Sequence, residues 1–176
     1  MSTVETKDGL VLIDTGSSYY QYLLHKTIRT WSSKLVTHAV YTHRHVDHTG
    51  GIHIFDHENK LRGKPPVVAI GHTNIKPGFD RYKLTNGYNA RINQKQFATP
   101  EAKWTTHFHY CDIEYERELK LTIGGVAFEF FHDKGETDDA TWVYLPSQAI
   151  VFTGDFSIWA FPNCGNPQKV QRCPVC

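Results

Sequence analysis

Thr42-His43-Arg44-His45-Val46-Asp47-His48-Thr49-Gly50-Gly51 places four potential metal ligands within six residues. The apolar run Val36-Thr37-His38-Ala39-Val40-Tyr41 precedes this stretch. The pattern reads as a strand that ends in a ligand-bearing loop and turns into a helix. Neutral imidazole and carboxylate are the usual ligands of zinc and related divalent ions. His43 and His45 are two apart, so in an extended backbone they point the same way. Asp47 and His48 are adjacent and are expected to point apart, which suits a second metal beside the first. Gly50 and Gly51 let the backbone turn with no Cβ in the way. With 11 histidines in the chain, an incidental surface cluster is the competing explanation. The full H-x-H-x-D-H with G-G behind it is far more specific than an isolated histidine pair.

Upstream, Leu10-Val11-Leu12-Ile13 is a continuous apolar run ending at Asp14-Thr15-Gly16. It reads as a buried strand entering a tight turn. Asp8-Gly9 marks a hairpin-type turn before it, but Val4 is the one apolar residue after Met1 in the first seven, so a partner strand is expected to be short or missing. Asp14 either orients a ligand histidine from behind or caps the next helix. Ser17 or Ser18 can cap that helix, which spans about 18–33 on its helical spacing of Tyr20, Leu23, Leu24, Thr27, Ile28 and Trp31, with these residues turned to the core.

Downstream, residues 49–55 read as a short helix with Ile52 and Phe55 inward and His53 and His57 outside the site. Val67-Val68-Ala69-Ile70 is a short strand. Residues 73–112 show little periodicity. A helix near 80–96 fits, and so long an ordered connection suits substrate contact. His107 and His109 imitate the ligand spacing without an acidic partner and read as a polar strand or loop. Glu118–Ile123, Gly124-Gly125 and Val126–Phe131 form a β-hairpin. Thr141–Leu145 and Ala149–Thr153 are further strands, the second read as buried. Strands thus end in acidic or His-rich loops after residues 41, 131 and 153, which gathers ligands at one edge of a sheet sandwich.

The H-x-H-x-D-H loop resembles that of the metallo-β-lactamase-fold hydrolases. The resemblance implies an α/β fold, a metallo-β-lactamase-like αββα sandwich truncated at both ends, with residues 1–176 as one partial domain. It implies metal ligation by His43, His45, Asp47, His48, Glu136 and Asp155. Gly154-Asp155 is similar to the family's bridging aspartate. Gly135-Glu136-Thr137 stands where many members carry G-H-T or G-H-S. A glutamate there resembles the alkylsulfatase branch, in which a second acidic ligand follows about nineteen residues later, as Asp155 follows Glu136 here. That branch has glutamate at the position of Asp155, a departure that bears on the substrate more than on the metal. His132 is a rival to Glu136. No histidine follows His132, although the family supplies a last histidine ligand from a later segment.

The chemistry implied is hydrolysis of an ester-type bond, such as a sulfate ester or lactone, by hydroxide generated between two Zn2+ ions. Asp47 relays the proton besides ligating. Glutamate in place of histidine adds negative charge and also suits harder ions such as Mn2+ or Fe2+. The alternative is a catalytically inactive metal-binding fragment or interaction protein derived from such an enzyme. Nucleic-acid processing is disfavoured by a net charge of +1 and the lack of a basic run.

The 176 residues, 40% hydrophobic and 21% charged, describe a globular protein. No apolar run reaches membrane-spanning length, and residues 1–8 have neither a basic nor an apolar signal region. The expectation is a cytoplasmic protein acting on a small molecule, with no nucleic-acid or membrane partner. Its cysteines, Cys111, Cys164, Cys173 and Cys176, are expected to be reduced, the last two in an unstructured tail. An uncovered sheet face would favour homo-oligomers.

Overall fold

The computed structural model describes residues 1–157; the C-x-x-C and the other cysteines after Cys111 lie outside the described residues. Two sheets stack face to face. The first has the order β1-β2-β3-β4-β5, with β1 Ser2–Glu5, β2 Leu10–Ile13, β3 Val36–Val40, β4 Val68–His72 and β5 Ile113–Tyr115. The second has the order β6-β7-β8-β9, with β6 Glu118–Ile123, β7 Val126–His132, β8 Thr141–Leu145 and β9 Ile150–Phe152. From β2 to β5 the pairings are parallel, whereas the second sheet is antiparallel throughout.

Strand alternation builds two cores. Leu10 and Leu12 of β2 face one way, with Val36, Ala39, Ile52, Phe55 and Phe79, and bury the helices against the sheet. Val11 and Ile13 face the other way, with Val40, Ile70, Phe128, Phe130 and Val143, and fill the space between the sheets. The uninterrupted apolar run of β2 is thus explained by burial on both faces. Among the described residues the layers are helices, sheet and sheet.

Five helices connect the parallel strands: α1 Gln21–Trp31, α2 Val46–Thr49, α3 His53–Leu61, α4 Ile75–Leu84 and α5 Asn86–Gln96. Pro77 falls in the first turn of α4, where a missing N–H costs nothing. The poorly periodic segment therefore holds two helices rather than one. The short helix read at 49–55 resolves into α2 and α3, with Ile52 and Phe55 fully buried as expected.

The partner of β2, expected to be short or missing, is present and short: the four residues of β1 pair with it antiparallel, and Val4 lies opposite Val11. The turn between them closes because Thr6 donates both its amide and its hydroxyl to the Gly9 carbonyl. Two expectations are corrected. First, α1 begins after Tyr20 with no side-chain cap, and its large residues do not all face the core. Ile28 is buried, but Tyr20, Leu23 and Trp31 are 64%, 61% and 57% exposed. α1 meets α3 through few apolar residues, Ile28 among them, and through polar contacts, with His25 Nε2 and Arg29 Nη2 on Glu58 at 3.0 and 2.7 Å. Finally, β9 is not buried. It pairs with β8 alone among the described residues, and Ile150 and Val151 are 43% and 49% exposed.

Candidate metal centre

The site lies where β3, the β7–β8 connection and the end of β9 meet. After Val40 the chain leaves the sheet, and Tyr41, Thr42, His43 and Arg44 are all buried. The glycines after α2 allow a close approach: a Cβ on Gly51 would stand 2.1 Å from the Thr15 carbonyl oxygen. That contact seats α2 against the turn after β2, where Thr15 donates its amide (2.7 Å) and hydroxyl (3.1 Å) to the His48 carbonyl. The second sheet approaches equally closely at Gly154, whose φ of +51° suits glycine and whose Cβ would collide with Thr42 at 2.7 Å.

Two overlapping groups of donors result. His43, His45 and Glu136 form one; His43, His48 and Asp155 form the other. In the first, His43 Nε2 lies 2.9 Å from His45 Nδ1, and both nitrogens lie 3.7 Å from Glu136 Oε2. In the second, Asp155 Oδ2 lies 4.0 Å from His43 Nε2 and 3.6 Å from His48 Nε2. Ligands about 2.0–2.2 Å from a tetrahedral ion are separated from one another by roughly 3.3 Å. The first group's distances bracket that separation and the second group's lie a few tenths of an ångström above it; imidazole with carboxylate is the donor chemistry of zinc and related ions, so the residues fit divalent cations.

Asp47 stands apart from both groups. Its side chain is 68% exposed, and its Oδ2 lies 3.5 Å from His48 Nε2. The expectation that Asp47 and His48 point apart is therefore corrected: the helical turn of α2 swings both towards one side. His132, the rival to Glu136, is turned away. Its Nδ1 donates to the Ala140 carbonyl at 2.8 Å, and its ring stacks on His72 at 3.7 Å. His53, His57 and His107 are exposed and outside both groups. His109 is held by Asp56 at 2.8 Å and Asp112 at 3.3 Å.

Asp14 resolves in favour of orienting a histidine. Its Oδ2 takes His48 Nδ1 at 2.8 Å and the Thr42 hydroxyl at 2.9 Å, and its Oδ1 accepts the Thr42 amide at 2.8 Å. This leaves His48 Nε2 facing Asp155. The electrostatics differ across the cluster. Burial, then the neighbouring His48 and His45, pushes His43 well below the usual imidazole range, which leaves a lone pair available. Burial also lowers His45. For His48 burial acts the same way, but hydrogen bonds to Asp14 and Asp155 outweigh it and hold the imidazolium up to about 10. Asp155 is correspondingly held well below the carboxylate range, first by His48.

A cavity of about 960 Å³ opens above the first group, with His45, Asp47 and Glu136 at its floor and Tyr19, Tyr20, Phe97 and Trp104 on its walls. A smaller one of about 330 Å³ reaches His48 and Asp155 beside Asp14 and Phe152. Residues 73–112, expected to contact substrate, supply Phe97 and Trp104 to the wall of the larger cavity. Tyr19 and Tyr20 also line it, although the helical spacing turned Tyr20 to the core.

A helix-covered parallel sheet, a second antiparallel sheet and a His/carboxylate cluster at their shared edge define a two-sheet α/β fold with a candidate metal centre. The chain belongs to the metallo-beta-lactamase superfamily, whose pattern it matches over residues 2–159. It is 21% identical over 169 residues to a linear primary-alkylsulfatase of Pseudomonas sp., covering 86% of this chain and 32% of that protein. Among solved structures it is similar to the stereoselective inverting sec-alkylsulfatase Pisa1 from Pseudomonas sp., with a TM-score of 0.67 and 23% identity over 82% of this chain and 26% of that one. A metallo-beta-lactamase from Pontibacter korlensis superposes with a TM-score of 0.61 and 26% identity over 93% of this chain and 63% of that one. The chain thus spans about a third or less of the sulfatases' length and nearly two thirds of the lactamase's.

Proposed function

We propose that this protein is a metal-dependent hydrolase of ester-type bonds, with sulfate esters ahead of lactones, built on two divalent ions. The observation that carries the reading is Glu136, a carboxylate converging with His43 and His45 on one point. The likeness to alkylsulfatases supports the same substrate class. His43, His45 and Glu136 would hold one ion; His48, Asp155 and Asp47 would hold the other, with Asp155 close enough to His43 to be shared. Zinc suits the histidines, and the added carboxylate also admits Mn2+ or Fe2+. Bound there, such ions supply Lewis-acid polarisation and water activation near neutral pH.

The chain's own groups do the rest. Asp47 is exposed at the floor of the larger cavity, where its carboxylate can take a proton from water and pass it to bulk solvent. Asp14 fixes which nitrogen of His48 faces the site. The aromatic walls hold the apolar part of a substrate and thin out competing water.

The test is metal content of the purified protein by elemental analysis, with Asp155→Ala beside it, followed by release of sulfate from alkyl sulfates and opening of lactones. About two ions per chain, falling in the variant, with sulfate release abolished by Asp155→Ala, is the expected result. No bound metal would overturn the reading. Metal without turnover of either substrate would favour a non-catalytic metal-binding protein.

A further inference from the structure

The candidate ligands come from different sheets: His43 and His45 leave β3, whereas Glu136 sits between β7 and β8. Something must fix the distance between them. The side chain best placed to do so is Asp139, which is fully buried. Its Oδ2 accepts the Arg44 amide at 3.0 Å, and its Oδ1 accepts Arg44 Nη1 at 3.1 Å together with the Thr137 hydroxyl. Arg44 Nη1 also donates to Asp138. Arg44 stands between His43 and His45, so the orientation of its peptide plane sets where both imidazoles point. Its side chain leaves the site through a gap beside α4, where a Cβ on Gly78 would come within 2.1 Å of Arg44 Cδ. Two further bonds close the joint: the Thr141 amide donates to the Thr42 carbonyl at 2.7 Å, and Asn74 Nδ2 donates to the Asp138 carbonyl at 2.8 Å.

A buried ion pair contributes little net stability compared with an apolar packing of the same volume. What it does supply is direction, because each carboxylate oxygen must be satisfied by a fixed donor.

We propose that Asp139 is a positioning residue: with Arg44 and Thr137 it locks the loop carrying His43 and His45 to the loop carrying Glu136, and so forms the first ligand group before an ion arrives. Its consequence for metal affinity rests on the metal-centre reading above; the locking itself does not.

The experiment compares wild type, Asp139→Asn and Thr137→Val, each stripped with chelator. Hydrogen exchange at the Arg44 amide and across residues 134–137 gives the metal-independent readout, and zinc titration calorimetry gives the second. Asp139→Asn is expected to speed exchange at Arg44 and residues 134–137 by about tenfold or more and to weaken zinc binding by about 10–100-fold. Thr137→Val moves both readouts in the same direction by less. The amides of the β6–β7 hairpin are expected to keep their wild-type rates. Unchanged exchange at Arg44 in folded Asp139→Asn overturns the proposal, as does acceleration spread equally over β6 and β7, the mark of a merely structural carboxylate. If Asp139→Asn does not fold, the same readouts on Thr137→Val decide. If wild type takes up no zinc while exchange behaves as expected, the metal-centre reading fails and the positioning role stands.

Discussion

Asp14 has a φ of +60°, a conformation that few residues other than glycine, asparagine and aspartate tolerate. The backbone is held there by the bond from the Asp14 amide to the Val40 carbonyl at 2.8 Å. The return is a carboxylate aimed at His48 and Thr42. Replacing Asp14 by Asn is expected to weaken binding of an ion at the proposed His48 and Asp155 site by about 10–100-fold. Zinc titration should then show one of two binding events displaced and the other retained. Gly51 is constrained by space instead. In Gly51→Ala the new methyl meets the Thr15 carbonyl, so α2 must shift and carry His48 with it. The expected result is a loss of about 1–3 kcal/mol in urea unfolding, with metal uptake impaired beyond what the residual folded fraction explains.

At the scale of elements, the loop before β5 is pinned to α3 and β4 by one histidine between two carboxylates. Asp56 accepts the Val67 amide at 2.9 Å, Asp112 accepts the Ala69 amide at 2.8 Å, and His109 bridges the two. The hydrogen bond to Asp56, followed by the nearby charges, raises His109 above its usual range in spite of burial. A histidine stabilised in its charged form adds stability that is complete below its unfolded pKa of about 6.5 and is lost as pH rises through the folded value. Wild type should therefore melt at progressively lower temperature from about pH 6.5 upward relative to His109→Gln. The gap between the two should be widest near pH 5.5 and shrink on the alkaline side. The opposite sign would show that the bridge is not a charged one. The helix core behaves differently, since Phe55 is fully buried against the first sheet and carries no charge. Phe55→Ala is expected to cost about 3–5 kcal/mol at any pH in that range, read from the denaturation midpoint.

For the molecule as a whole, both candidate ligand groups cross the interface between the sheets: His43, His45 and His48 follow the first, whereas Glu136 and Asp155 belong to the second. Ions bound there would bind the folded chain and not the unfolded one. Zinc at a hundred times its dissociation constant would stabilise the fold by about 2.7 kcal/mol. Chelation should lower the melting temperature accordingly, and the shift should shrink in Asp155→Ala. A melting temperature indifferent to both zinc and chelator would contradict this linkage.

Much of the fold was legible because local patterns and burial agree. The β2 run, the β6–β7 hairpin and the strand before the ligand loop all declare themselves through apolar period and turn chemistry, and the H-x-H-x-D-H spacing alone brings His43 and His45 together. The rest depended on contacts distant in sequence. Asp8-Gly9 signals the β1–β2 turn, but no local feature says that α1 leaves Tyr20, Leu23 and Trp31 outside the core or that β9 is an exposed edge, because each depends on which neighbour is present to cover it. Sequence determined the ligand chemistry, since residue type and short spacing fix which donors a loop can offer. Sequence also favoured Glu136 over His132 through its G-E-T setting and its spacing to Asp155; tertiary structure alone turned His132 away from the site, decided between the two roles open to Asp14, and made Asp139 the joint between the loops, because those outcomes are set by distances across two sheets.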